Sequence, residues 1–162
     1  MLTTESGYLP QKTEIQSNFP ASIEEVVLSG TIVNNINKIW YSKRDIAIAN
    51  KVMKELDLFD IKNKCFRDLS GGQQQRVLIA RAICATEKVI ILDEPTNGLD
   101  PAISTQIYEI LERLNKKRGL TVIMVSHDIS RAIKYCSRVM EIKDGKVTYL
   151  GDAKSYKGGG VA

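Results

Sequence analysis

The sequence predicts an α/β fold: a parallel sheet packed by helices, a helical subdomain inserted ahead of it, and a β-hairpin closing the chain. Three observations predict it. From Ser70 onward, short apolar runs alternate with segments of helical period. Two of those runs, residues 89–92 and 121–125, are apolar almost throughout, as in parallel strands covered on both faces. Near the C-terminus, residues 139–142 and 147–150 flank Asp144-Gly145, a hairpin-turn signal.

Taken in chain order, Ser22 and Glu25 have capping-box spacing, and Gly30 follows Val26-Val27-Leu28 as a helix stop. Ile46, Ala49, Met53 and Leu56 recur at intervals of three and four, which predicts a helix over residues 43–57. The first third therefore reads as helical. A helix over residues 73–84 precedes the first apolar strand. Asp100-Pro101 offers an N-cap followed by proline at the first helical position. The helix behind it carries Ile103, Ile107, Ile110, Leu111 and Leu114 on one face and stops at Gly119. A short helix over residues 129–136 separates the second strand from the hairpin.

Composition narrows the function classes. The 162 residues are 43% hydrophobic and 26% charged, enough for one domain with a real core. No apolar run approaches the roughly 18 residues of a membrane helix. The first ten residues lack the basic and apolar regions of a secretory signal. Cys65, Cys84 and Cys136 are odd in number and show no CxxC spacing, which argues for a reducing, cytosolic compartment and against a disulfide or zinc framework. A net charge of +4, spread along the chain, is too weak and dispersed for a nucleic-acid patch.

Three clusters carry chemistry. Leu69-Ser70-Gly71-Gly72-Gln73 places a hydroxyl, two glycines and an amide before a helix. Backbone N–H groups and the positive end of the helix dipole then face an approaching phosphate. A capped helix start with a flexible glycine pair would read the same way. The strand at residues 89–92 delivers Asp93 and Glu94 to its C-terminal end, where open α/β sheets place ligands. One carboxylate can reach a hydrated Mg²⁺ while the other orients an attacking water; an acidic pair ending a strand is the plainer alternative. Ser126-His127-Asp128 follows the second strand and holds the one histidine, which could bond a terminal phosphate oxygen or be structural. It is no Ser-His-Asp triad by sequence, because triad members meet in space.

In this order the motifs resemble the ATP-binding-cassette (ABC) family across essentially the whole chain. Gly7-Tyr8-Leu9-Pro10-Gln11 resembles the Q-loop, Leu69 to Gln73 the LSGGQ signature, and Leu92-Asp93-Glu94-Pro95 the end of the Walker B strand. Gly98-Leu99-Asp100 resembles the D-loop and Ser126-His127-Asp128 the switch histidine. Residues 7–12, Phe19-Pro20-Ala21-Ser22-Ile23 and Glu25-Val26-Val27 are similar to ATPase subunits of zinc and manganese importers.

The resemblance implies a partial P-loop NTPase (RecA-like) fold, with a helical subdomain over about residues 12–68 and a catalytic-core remainder over about 69–162. It implies ATP and Mg²⁺ as cofactors and a head-to-tail dimer with a second ABC ATPase protomer. It also implies docking on a transmembrane permease subunit at the cytoplasmic face of the plasma membrane, and indirect work with an extracellular solute-binding protein. Asp93 and Gln11 would contact Mg²⁺, Glu94 would polarise the water, and His127 would contact the γ-phosphate. Ser70, Gly71, Gly72 and Gln73 would bind the γ-phosphate held by the opposite protomer, and Asp100 would link the two sites.

One departure is large: no segment matches the family's GxxxxGKS/T phosphate loop. The resemblance therefore implies an N-terminally truncated chain, inactive alone, with apolar sheet surface left exposed where the strand ahead of that loop belongs. A non-catalytic interaction fragment, a soluble ABC protein acting on nucleic acid or ribosomes, and an export ATPase are the alternatives.

Overall fold

A computed structural model describes residues 6–9, 20–34, 40–86 and 88–158. It divides into two compact units, Met1–Val125 and Ser126–Ala162.

Three helices of the first unit start in the same way. In α1 (Ile23–Ser29), the Ser22 hydroxyl accepts from the Glu25 N–H at 3.2 Å and the Glu25 carboxylate accepts from the Ser22 N–H at 2.7 Å. That backbone bond holds the Glu25 carboxyl below its usual range. Ser42 and Asp45 form the same box for α2 (Lys43–Glu55), and Ser70 and Gln73 form it for α3 (Gly71–Ala85).

Gly30 is the C-cap of α1, as its position suggests, but it is not glycine for the sake of a left-handed backbone. Its φ is −63°, ordinary right-handed backbone, so no left-handed cap is involved. A Cβ there would lie 2.1 Å from the Arg81 carbonyl oxygen and 3.1 Å from the Cys84 Cβ of α3. Glycine is needed for close helix approach. Gly30→Ala is therefore expected to destabilise the chain by about 1–3 kcal/mol, because a backbone carbonyl cannot swing aside. An unchanged urea midpoint would refute this.

The sheet of the first unit has three parallel strands in the order β1 (Ser6–Leu9), β2 (Val89–Asp93), β3 (Thr121–Val125). The register runs Ser6 to Val89 through Leu9 to Leu92, and Val89 to Thr121 through Asp93 to Val125. β1 is a strand that composition hides, since four residues with a glycine among them show no apolar alternation.

The two faces of this sheet differ. Ile90 and Leu92 of β2 are fully buried, beside Val122 and Met124 of β3, in one core with Val77 and Ile79 of α3 and with Ile107, Leu111 and Leu114 of α4 (Pro101–Arg118). The other face carries Ile91, Ile123 and Val125, of which the last two are 49% and 57% exposed. Apolar residues at every position predicted cover on both faces, and helices cover one.

The core reaches α1 and α2 through Ile23, Val27, Val52 and Met53, all buried. Burial also pushes the Cys84 thiol up to about 12, which keeps it a neutral apolar filler on α3. The three cysteines are free.

In the second unit, α5 (Ile129–Ala132) is shorter than the predicted 129–136 and gives way to turns. β4 (Arg138–Lys143) and β5 (Lys146–Asp152) form the expected hairpin. Asp144 and Gly145 have φ of 51° and 72°, the paired left-handed conformation of a type I′ turn. Met140, Ile142, Val147 and Leu150 lie on one exposed face of it.

Candidate functional site

The helix at Ser70 is built to present a polar N-terminus. The Ser70 oxygen accepts from the Gln73 N–H at 3.3 Å, and Gln73 Oε1 accepts from the Ser70 N–H at 3.1 Å. A hydroxyl that accepts in a cap still carries its own O–H donor, and an amide bound through its oxygen still carries its NH₂ group. Both side chains can therefore serve the helix and donate to an anion together. Ser70 and Gly71 are exposed, while Gly72 is buried.

Three consecutive glutamines follow, and only the fold tells them apart. Gln73 caps the helix, whereas Gln74 is buried and donates to the Phe66 carbonyl at 3.2 Å, tying α3 to the loop before it. Gln74 was not a sequence candidate, and a run of identical residues carries no signal that singles it out.

β2 brings the carboxylates to the C-terminal end of the sheet. Asp93 is its last residue, half-buried and paired with Val125 of the neighbouring strand. Glu94 lies just outside the strand with φ of 49°, a left-handed conformation that strains a residue bearing a Cβ. Asp93 and Glu94 therefore stand on different backbone, one in the strand and one in the turn that follows it. The turn is held on both sides. Glu94 N–H donates to the Val125 carbonyl at 3.0 Å, and Pro95 and Thr96 are buried. The Thr96 hydroxyl lies 3.0 Å from the buried Tyr108 hydroxyl of α4.

The loop then passes through Gly98, at φ 70°, to Asp100. Oδ1 of Asp100 accepts from the Ala102 and Ile103 N–H groups, both at 3.0 Å, and caps α4. Leu99 and Ile103 lie against Gly71 and Gly72, so this loop and the start of α3 meet in one place.

Ser126, His127 and Asp128 open the second unit, immediately after β3. His127 is exposed. The Ser126 hydroxyl accepts from the Asp128 N–H at 3.2 Å. Asp128 accepts from the Arg131 N–H and the Ser130 hydroxyl and pairs with the Arg131 guanidinium at 3.2 Å. Serine and aspartate here build a helix start, which does not favour a hydrolytic triad. Gln11 lies outside the described residues.

The structure thus gathers Ser70, Gly71, Gly72, Gln73 and Asp100 around two neighbouring helix N-termini. It places Asp93 and Glu94 at the end of the central strand. Among the described residues no group of three His, Cys, Asp or Glu side chains is placed to hold a metal ion. No described helix is long and apolar enough to cross a membrane.

The family model described as ABC transporter matches residues 1–97. A metal transport system ATP-binding protein of Chlamydia muridarum is 38% identical over 146 residues, covering 90% of this chain and 61% of that protein. The zinc uptake system ATP-binding protein ZurA of Listeria monocytogenes is 34% identical over 152 residues, covering 93% of this chain and 59% of its own length. Among solved structures, a metal-chelate type ABC transporter in an inward-facing conformation superposes with a TM-score of 0.84 at 28% identity, over 93% of this chain and 60% of that one. The chain thus spans about three fifths of the length of these relatives.

Proposed function

This chain belongs to the ABC transporter family, and on that premise we propose that it is part of an ATP-hydrolysing subunit that powers import of a divalent metal ion. The observation that carries the reading is the start of α3, where Ser70 and Gly71 are exposed at the N-terminus of a 15-residue helix. Such an end donates several N–H groups in parallel and carries positive partial charge.

In this reading Ser70, Gly71, Gly72 and Gln73 bind the γ-phosphate of an ATP molecule held by a second protomer in a head-to-tail dimer. Asp100 connects the two sites across that dimer. Glu94 orients and polarises the attacking water, and His127 contacts the γ-phosphate. Asp93, a half-buried carboxylate at a strand end, has the hard oxygen donors that Mg²⁺ takes, and it would hold the ion with Gln11. Bound there, the ion would supply positive charge against the phosphate oxygens. Residues of about 12–68 form the helical subdomain and about 69–162 the core remainder, with a permease subunit docked at the cytoplasmic face of the plasma membrane and a solute-binding protein acting from outside. Zinc or manganese is the cargo in this reading; likeness to a metal-system and a zinc-uptake relative supports a metal ion, and zinc in particular.

A second reading has its own observation. No segment of the 162 residues matches GxxxxGKS/T, so a non-catalytic fragment that docks on a complete cassette also fits.

The test exploits the double duty of Ser70. Aspartate caps a helix as well as serine does, but it sets a negative charge against the phosphate. Ser70→Asp is expected to leave the melting temperature in place. It should weaken MgATP-dependent association with a GxxxxGKS/T-bearing cassette by roughly 10–100-fold, the loss of a charge-assisted bond. Association unaffected by Ser70→Asp would overturn the reading.

A further inference from the structure

The glycine pair of the signature segment divides into two different environments. Gly71 is exposed, and a Cβ there would meet the Leu99 Cδ2 at 3.3 Å, the far end of a flexible side chain. Gly72 is buried, and a Cβ there would lie 2.6 Å from the Ile103 Cγ2. That methyl sits on the β-carbon of a residue in the first turn of α4. A β-branched side chain in a helix has one strongly preferred χ1 rotamer, so the methyl cannot rotate away. The Ile103 N–H is itself held by Asp100. One turn further along both helices, the Arg76 guanidinium donates to the Gln106 Oε1 at 2.9 Å. Three contacts in step (Gly71 with Leu99, Gly72 with Ile103, Arg76 with Gln106) therefore join the N-terminal part of α3 to α4 and the turn before it.

We propose that the Gly72–Ile103 contact is a steric latch that makes the Ser70–Gln73 edge and the Gly98–Asp100 turn move as one body, with Ile103 as the positioning residue. The missing Cβ of Gly72 makes room for α4 within the same chain, whereas that of Gly71 leaves the helix end open from outside. A displacement of Asp100 is then transmitted to the phosphate-facing hydroxyl of Ser70, and the reverse. This inference rests on the reading of Ser70–Gln73 as the nucleotide-facing edge.

The test is a pair of rescue experiments on the 162-residue chain. Gly72→Ala is expected to lower MgATP-dependent association with a GxxxxGKS/T-bearing cassette at least about tenfold, as overpacking does. Adding Ile103→Ala leaves only its Cβ, 3.8 Å from the new methyl, and is expected to restore association to within about threefold of Ile103→Ala alone. Gly71→Ala is expected to weaken association too, but without rescue by Leu99→Ala, because its methyl obstructs the phosphate. Hydrogen exchange of residues 102–105 reads the latch without nucleotide: it should rise in Gly72→Ala and fall back in the double variant.

Absence of rescue by Ile103→Ala, in association or in exchange, overturns the latch. If the unaltered chain shows no MgATP-dependent association while exchange shows rescue, the nucleotide reading falls and the contact keeps only a packing role.

Discussion

MgATP titrated calorimetrically into the 162-residue chain is expected to give no saturable heat below about 1 mM, a binding free energy of about 4 kcal/mol at most. In nucleotide-binding proteins of this kind, a glycine-rich loop between strand and helix wraps the β- and γ-phosphates with backbone N–H groups, and a lysine completes the cradle. Neither glycine cluster of this chain can do so. Gly71-Gly72 opens a helix in which no lysine follows the glycines before Lys88, and Gly72 is buried against Ile103. Gly158 follows a short 3-10 turn, Ala153–Ser155, that no helix succeeds within the described residues. What remains is the exposed end of α3, which in the proposed reading would contact a phosphate already held by another chain. A dissociation constant in the low micromolar range would show a phosphate site the motifs do not reveal.

Leu92→Ala is expected to remove about 2–5 kcal/mol of stability, the range for a leucine deleted from a packed core. Leu92 is fully buried in the middle strand, in register with Leu9 of β1 and Met124 of β3. A domain of ordinary stability holds only about 5–15 kcal/mol in total, so the variant sits near its unfolding threshold. Ile91→Ala, one residue earlier on the open face, is expected to cost clearly less, because Ile91 is only half-buried beside an Ile123 that is 49% exposed. Urea unfolding of both variants measures this directly. Equal losses would mean that the two faces of the sheet are equally packed.

Those two variants also mark where sequence reasoning reached its limit. The apolar run at residues 89–92 was legible as a strand, and the parallel pairing of β2 with β3 was expected from their uniform apolarity. That same uniformity predicted two covered faces. Cover depends on which helices pack where, and α3 and α4 share a core with the Ile90 and Leu92 face. Gly30 tells a related story at one residue: its place suggested the helix stop that it is, but its φ is right-handed, and the demand for glycine there comes from the Arg81 carbonyl. Among the site candidates, Ser70, Gln73 and Asp100 were visible because capping residues announce themselves by spacing. Gln74 and Ile103 were not, because their importance lies in the Phe66 carbonyl and in Gly72, contacts that no local pattern encodes.

By itself, then, the sequence determined what short-range chemistry determines. The capping box at Ser22, the Asp100 cap with Pro101 behind it, the Gly119 stop and the Asp144-Gly145 turn each depend on hydrogen bonds or φ angles within a few residues. The order of the motifs likewise requires only that the chain be read. Tertiary structure alone decided that Ser6–Leu9 is a strand, that Ile123 and Val125 are exposed on one face of the sheet, and that Gly71 and Gly72 have different neighbours. Each of those depends on contacts between segments far apart in the chain. Their free energy comes from excluding water and filling space between surfaces that meet only when the whole core assembles.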